Sequence, residues 1–150
     1  MVGIGYDSHR FAAGRRLVLG GVEIDHPLGL SGHSDADVLT HAVIDAILGA
    51  AGSGDIGTMF PDDDEQWRGS DSLDLLRTAV GTLAGSIVNI DATVICEQPR
   101  LGPYKAQMER TIADATSARV SVKATSNEGM GWIGRGEGIA CIAIASVQSE

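Results

Sequence analysis

The spacing of apolar residues changes several times along the chain, and each change marks an element. Val2 to Tyr6 is a short apolar run with poor alternation. Leu17 to Ile24 is a second strand-like run broken at Gly20-Gly21, and the two are expected to pair. From Ser34 to Ala51, Val38, Leu39, Ala42, Val43, Ala46 and Ile47 recur at helical spacing behind Ser34 or Asp35 as cap, which predicts a helix. Gly52 to Ser70, with Asp62-Asp63-Asp64-Glu65, reads as a surface loop long enough to be a lid. Helical spacing returns over Asp71 to Ala84 through Leu73, Leu76, Val80 and Leu83, with Gly85 as stop. A strand over Ile87 to Cys96, a helix from Pro103 to about Thr116, and strands over Val120 to Ala124 and Gly138 to Val147 follow.

Helices and strands mixed without strict alternation predict an α+β two-layer sandwich with helices on one sheet face, a single domain across residues 1–150. The run Ile139 to Ala145 is apolar on both faces, so it needs cover twice. Either a partner subunit in a closed homo-oligomer covers the second face, or the strand lies centrally within one subunit.

Composition narrows the function. With 43% hydrophobic residues and a mean hydropathy of +0.07 the chain is globular. At this length folding buries roughly 68–70% of the unfolded surface, so a metal is not needed for stability and any metal site is functional. Lys plus Arg is 11 against 20 Asp plus Glu, a net charge of −9, which is the wrong sign for a nucleic acid or an anionic membrane. Aromatics are 4%, too few for a base-stacking platform. Cys96 and Cys141 lie in apolar runs and read as buried thiols, with an oxidised pair left open. Without a basic leader or an apolar run near 20 residues, the chain is expected to be cytoplasmic and complete.

Asp7-Ser8-His9 is the sharpest chemical signal. Positions i and i+2 of a strand face the same way, so Asp7 and His9 can converge, and His41 on the first helix would complete a His, His, carboxylate set with one position open. A turn cap, an exposed histidine and a core histidine explain the same residues. Asp37 and Asp45, at i−4 and i+4 from His41, either steady its ring or are solvated charges. His33-Ser34-Asp35, where the helix is expected to begin, is an anion site or an empty cap. Gly54-Asp55-Ile56-Gly57 with Phe60-Pro61-Asp62 is a turn or a cradle for substrate hydroxyls. Lys123 to Glu128, with Trp132 and Gly134 to Gly138 beyond, is a polar loop or a phosphate cradle in which Glu128 could hold a hard cation.

Taken in order, Gly5-Tyr6-Asp7-Ser8-His9, Gly20-Gly21-Val22, His33 to Val38, His41-Ala42, Leu48 to Ala51, Gly54 to Gly57, Phe60 to Asp62, Val122 to Thr125 and Gly134 to Ala140 resemble the 2-C-methyl-D-erythritol 2,4-cyclodiphosphate synthase family over nearly the whole chain. The resemblance implies a homotrimer with active sites between subunits. Each subunit would carry a mixed four-stranded sheet that faces the trimer axis, with helices on its outer face. It also implies a lyase of non-mevalonate isoprenoid biosynthesis. The 2-phosphate of 4-diphosphocytidyl-2-C-methyl-D-erythritol 2-phosphate would attack the β-phosphorus, close a cyclic diphosphate and expel CMP.

By the same resemblance Asp7, His9 and His41 ligate zinc, and Glu128 carries magnesium or manganese. Asp7, Ser8 and His9 would border the substrate, while His33 and Ser34 would meet its 2-phosphate, His33 with a catalytic role. Asp55, Ile56 and Gly57 would hold the methylerythritol part beside the mobile stretch Phe60, Pro61, Asp62, Asp63 and Asp64. Cys96, Glu97, Gln98, Pro99, Arg100, Leu101 and Gly102 would form the cytidine and diphosphate pocket with Thr125, Ser126, Asn127 and Glu128. Trp132 and Arg135 would complete it, and Lys123, Arg100 or Arg135 would make the cleft locally positive.

Three residues depart from the family pattern. Ser126 stands where a threonine assisting the transition state is expected, Ser8 replaces an apolar residue, and Trp132 replaces a phenylalanine. Arg135 and Glu137 could instead pair at the trimer axis. Two other functions fit the same residues: a zinc phosphoesterase on this scaffold, and a trimeric protein that binds CMP or an isoprenoid diphosphate without turnover.

Overall fold

The computed structural model describes all residues, 1–150. In chain order the elements are β1 (Val2–Ala12), β2 (Leu17–Leu19), β3 (Val22–Ile24), β4 (Gly29–Leu30), α1 (Val38–Ala51), α2 (Ile56–Met59), α3 (Ser72–Gly81), β5 (Gly85–Ile95), α4 (Lys105–Thr116), β6 (Arg119–Thr125), α5 (Gly131–Gly134) and β7 (Gly138–Ser149). The sheet has five strands in the order β4-β1-β7-β5-β6, one more than expected, because the two residues of β4 pair with Phe11 and Ala12 at the end of β1. Only β5 and β6 run parallel, joined by the α4 crossover, so the sheet is mixed.

Leu17 to Ile24 does not pair with β1. Gly20 and Gly21, both at positive φ, fold the run back on itself, so Leu17 meets Ile24 in a separate hairpin. The first helix starts at Val38, not near Ser34. Asp37 is the cap, its carboxylate accepting from the Thr40 amide at 3.0 Å, and its buried oxygens also accept from Gly20 and Gly21 at 2.8 Å each. The acidic loop is not structureless, since it holds α2 and a short 3-10 turn over Glu65–Trp67. Helix α3 ends at Gly81, and Gly85 opens β5 instead of closing the helix.

The poor alternation of β1 has a packing cause. Val2, Ile4 and Tyr6 point away from the helices, while Gly3 and Gly5 face α1, whose backbone lies directly over them. A Cβ at Gly5 would overlap the Ala42 carbonyl oxygen and stand 2.7 Å from the Ala46 nitrogen. The missing side chains thus let α1 settle onto β1, and the next inward positions of that strand are Asp7 and His9.

Helices α1, α3 and α4 cover one sheet face, and the core there includes Leu39, Ile47, Leu76, Ile90, Met108 and Ile139, all fully buried. The opposite face is open. Ile4 pairs with Ile144 and Tyr6 with Ile142, a contiguous apolar patch whose members are between 39% and 69% exposed. Of the two ways to cover the last strand, burial on both faces within one chain is therefore not the one adopted. No helix is long and apolar enough to cross a membrane.

Candidate active site

Asp7, His9 and His41 come together, as the metal reading of their spacing allows and the family resemblance implies, each offering a ligand atom within 4.8 Å of the others. His9 Nε2 lies 2.8 Å and His41 Nδ1 3.1 Å from one oxygen, Asp7 Oδ2. The remaining ring nitrogens decide what this means. His9 Nδ1 is 2.9 Å from the Ser31 carbonyl, which can only accept, so Nδ1 carries the proton and Nε2 presents a lone pair. That Nε2 is buried and makes no hydrogen bond.

His41 Nε2 is 2.9 Å from Ser72 Oγ, whose own proton goes to Asp35 Oδ1. His41 Nδ1 therefore also presents a lone pair. Two lone pairs aimed at one carboxylate oxygen repel unless a cation stands among them, either a proton or a metal ion. Ligands 2.0–2.1 Å from a tetrahedral zinc stand roughly 3.3 Å apart, close to the separations here, so the donor set fits such a metal.

Electrostatics follow this geometry. Burial pushes the Asp7 carboxyl up, but His41 and His9, which donate to it and carry charge once protonated, outweigh burial and hold the group below its ordinary value. Burial pulls His41 down, and the Asp7 hydrogen bond with the charges of Asp37, Asp7 and Asp35 raises it above 6.5 overall. In metal-free protein the His41 contribution to stability is complete below 6.5 and lost as pH rises through its raised value. The Asp7 contribution is complete above 3.8 and lost as pH falls through its lowered value. Zinc must displace the His41 proton, so added zinc is expected to raise Tm more in alkaline than in mildly acidic buffer. Equal zinc shifts in melts on the two sides would contradict this ligand set.

The three residues border a cavity of about 350 Å³ that also takes in Gly32, His33, Ser34, Ile56, Gly57, Phe60 and Asp62. Trp67 and Leu75 complete the wall, Trp67 edge-on to Phe60 with ring centroids 4.8 Å apart. Neither stood out in the sequence, where Trp67 is one aromatic in a polar stretch. His33 and Ser34 lie in a loop outside α1, and the helix's own cap Asp37 takes the Thr40 amide, so an anion here would meet side chains instead of a helix end. Arg15 shapes that loop, donating to the Gly32 carbonyl at 2.9 Å and the Ser34 carbonyl at 2.7 Å.

Asp37 and Asp45 do not hydrogen-bond His41. Asp37 is spent on its cap, and Asp45 accepts from the Ile56 amide at 2.7 Å, which fixes the loop at the cavity wall. Asp55 is exposed and caps α2 through Thr58, while Asp64 caps the short turn after it, so neither carboxylate reaches the cavity. Pro61 and Asp63 lie in the same segment without lining it.

A second concavity of about 330 Å³ is lined by Cys96, Glu97, Gln98, Pro99, Arg100, Leu101, Ala124, Thr125 and Ser126. The parallel pairing of Ile95 with Thr125 brings these segments together, and the Cys96 amide donates to the Thr125 carbonyl at 3.0 Å. Gly102 begins the next turn beyond it. Glu97 accepts from the Asn127 amide at 2.7 Å, so its carboxylate shapes the loop carrying Ser126 and Glu128. Glu128 is exposed at positive φ, its amide 3.2 Å from Ser126 Oγ.

Ser8 and Trp132 meet elsewhere, around a small pocket with His9, Arg10 and Glu137. Two of the three cations expected in the cleft are already neutralised, Lys123 by Asp91 at 2.6 Å and Arg135 by Glu137 at 2.7 Å within the chain. Arg100 remains at the second concavity. Burial pushes the Cys96 thiol up to about 11 and the Cys141 thiol higher still, so both stay protonated near neutral pH and neither is a nucleophile. Both are free cysteines.

In the order β1-β7-β5-β6, Asp7 aligns with Cys141, Val94 and Ala124. The two concavities thus lie at one end of the sheet, about three strand spacings or roughly 14 Å apart.

The YgbB family model matches residues 1–148. A 2-C-methyl-D-erythritol 2,4-cyclodiphosphate synthase of Symbiobacterium thermophilum is 55% identical, covering 98% of this chain and 98% of its own length. Among solved structures, the bifunctional IspDF from Campylobacter jejuni superimposes with a TM-score of 0.94 at 41% identity, over 99% of this chain and 42% of that one. A 2C-methyl-D-erythritol-2,4-cyclodiphosphate synthase in its CDP-bound form gives 0.89 at 32% identity, covering 99% of this chain and 100% of that one.

Proposed function

The chain belongs to the YgbB family, and from that premise we propose that it is a metal-dependent cyclase acting on 4-diphosphocytidyl-2-C-methyl-D-erythritol 2-phosphate. The observation that carries the reading is the pair of imidazole lone pairs aimed at Asp7 Oδ2 in the wall of a cavity. An oxygen of the 2-phosphate attacks the β-phosphorus. A new P–O bond closes the eight-membered cyclodiphosphate, and the bond to the bridging oxygen breaks, so that oxygen leaves with CMP. No protein nucleophile is needed, which agrees with two protonated thiols.

The chain must hold two repelling phosphates in line and stabilise the charge that develops. His33 and Ser34 would fix the 2-phosphate, and Ile56 and Gly57 the methylerythritol part, with Asp55 at the rim. The concavity from Cys96 to Leu101 would take the cytidine, with Arg100 beside the diphosphate. Zinc on Asp7, His9 and His41, with magnesium or manganese on Glu128, would withdraw charge from the phosphoryl oxygens. Cations are required here, because the chain carries −9 and two nearby basic residues are already paired.

The open patch of Ile4, Tyr6, Ile142 and Ile144 supports a homotrimer whose sheets face a common axis. The gap between the two concavities supports an active site shared by neighbouring chains. Ile144→Lys is expected to give monomers that bind zinc and release no CMP. Sedimentation velocity checks this, and a trimer persisting in that variant would contradict the interface.

Ser126 keeps a hydroxyl donor but lacks the methyl that would restrain its rotamer. Ser126→Ala is expected to lower kcat with little change in CMP affinity, and steady-state kinetics with CMP as inhibitor would test it. An unchanged kcat would remove Ser126 from the mechanism. The reading as a whole is tested by stripping divalent cations. CMP release, followed by chromatography, should stop on chelation and return with zinc and magnesium, and release that survives chelation would contradict it.

A further inference from the structure

We infer that Ser72 and Asp35 are positioning residues for His41, a hydrogen-bonded chain that fixes its Nε2–H tautomer and leaves Nδ1 free for a metal ion. The inference rests on the metal reading of the Asp7 site. Ser72 is the first residue of α3 and is fully buried. Its hydroxyl has one proton to give, and the contact with Asp35 Oδ1 takes it. The Ser72 amide donates to the other oxygen, Asp35 Oδ2, at 2.9 Å, so serine and carboxylate are locked together at two points. The Asp37 amide, 3.1 Å from Asp35 Oδ1, is a further donor to the oxygen that takes the Ser72 proton.

Ser72 Oγ therefore faces His41 Nε2 at 2.9 Å only as an acceptor. Ser34 Oγ, at 3.2 Å, is a second and longer partner of the same nitrogen. In the opposite tautomer Ser72 would turn its proton to the ring, and Asp35 Oδ1 would face the hydroxyl oxygen with nothing between them. A half-buried carboxylate facing a fully buried hydroxyl is costly to leave so placed. The negative end of the chain also raises the basicity of the imidazole, as a carboxylate behind a ligating histidine does. Substrate groups meet neither side chain, since neither lines the cavity.

Zinc affinity by chelator competition on wild type, Ser72→Ala and Ser72→Thr tests the inference, with long-range proton–nitrogen NMR of the histidine rings in the zinc-loaded wild type. Ser72→Ala should weaken zinc roughly 10-fold or more. Ser72→Thr keeps the hydroxyl and should keep wild-type affinity. The His41 ring should carry its proton on Nε2. Undiminished affinity in Ser72→Ala, an equal loss in Ser72→Thr, or a proton found on Nδ1 would each overturn the inference. A wild-type chain that holds no zinc would overturn the metal reading and this inference together. Zinc bound equally by wild type and Ser72→Ala would overturn this inference alone.

Discussion

Replacing His41 by alanine is expected to strip the metal from the protein and reduce CMP release to background. Two ligands remain, Asp7 and His9, and a site with two fixed donors cannot hold a metal that normally keeps three protein ligands and an open position. The loss should exceed the roughly 10–100-fold that outer partners of a metal ligand contribute. In metal-free protein the substitution also removes the protonated ring whose Nδ1 faces Asp7 Oδ2 at 3.1 Å and leaves Ser72 Oγ without its ring partner, so that form should lose about 1–3 kcal/mol. That is a modest fraction of a domain's stability, and circular dichroism should still report a folded chain. Metal analysis after dialysis separates the outcomes. Zinc retained at the wild-type level would mean that the donor set is wrong.

The second large effect is expected far from any polar group. Gly5→Ala should destabilise the protein by on the order of 4 kcal/mol, near the upper end for a single substitution. The added Cβ overlaps the Ala42 carbonyl oxygen and lies 2.7 Å from the Ala46 nitrogen, and neither is a flexible side chain that can swing away. Helix α1 must lift from β1 instead. His41 adjoins Ala42 and Asp7 lies two residues beyond Gly5, so the lift separates the two ligands, and zinc affinity should fall along with Tm. Gly81→Ala is the control, because no atom lies within 4 Å of the added carbon and the position ends a helix. It should be neutral or slightly stabilising. Urea unfolding of both variants would settle the point. A Gly5→Ala protein within about 1 kcal/mol of wild type would contradict the close packing of α1 on β1.

Period and punctuation made the helices and the long strands legible. Pro103 before a helical stripe placed the helix that ends at Thr116, and the two-faced run from Ile139 marked a strand needing cover twice, though not whether a partner or the chain itself supplies it. Strand β1 was harder to read, because its buried side is built from the absence of side chains: Gly3 and Gly5 face the helix while Val2, Ile4 and Tyr6 face outward. The start of α1 was displaced because Ser34, Asp35 and Asp37 are all competent caps. Only the fold selects Asp37, by also spending its carboxylate on Gly20 and Gly21.

The same distinction runs through the site. Asp7 and His9 are two residues apart on a strand, so local geometry lets them converge, but that His41 joins them from a separate helix was one of two readings until the family resemblance decided between them. The segments Cys96 to Leu101 and Thr125 to Ser126 were matched through family resemblance, and parallel pairing of β5 with β6 brings them together. Ser72 and Asp35 are 37 residues apart, one opening α3 and the other in the loop before α1, and no period links them. Trp67 and Leu75 reach the cavity for the same kind of reason, through the path of a loop that carries no repeating pattern. The ion pair of Lys123 with Asp91 depends on strand register and was not legible, whereas the pairing of Arg135 with Glu137, weighed for the trimer axis, forms within one chain.

Phosphorus NMR of the purified protein with 4-diphosphocytidyl-2-C-methyl-D-erythritol 2-phosphate, zinc and magnesium tests cyclisation most directly. A cyclic diphosphate should appear in step with CMP, with no free phosphate. Free phosphate beside a linear product would mean that water attacks and the protein is a phosphoesterase. Substrate unchanged in a metal-loaded trimer would mean that the protein binds without turnover, and either result would contradict cyclisation.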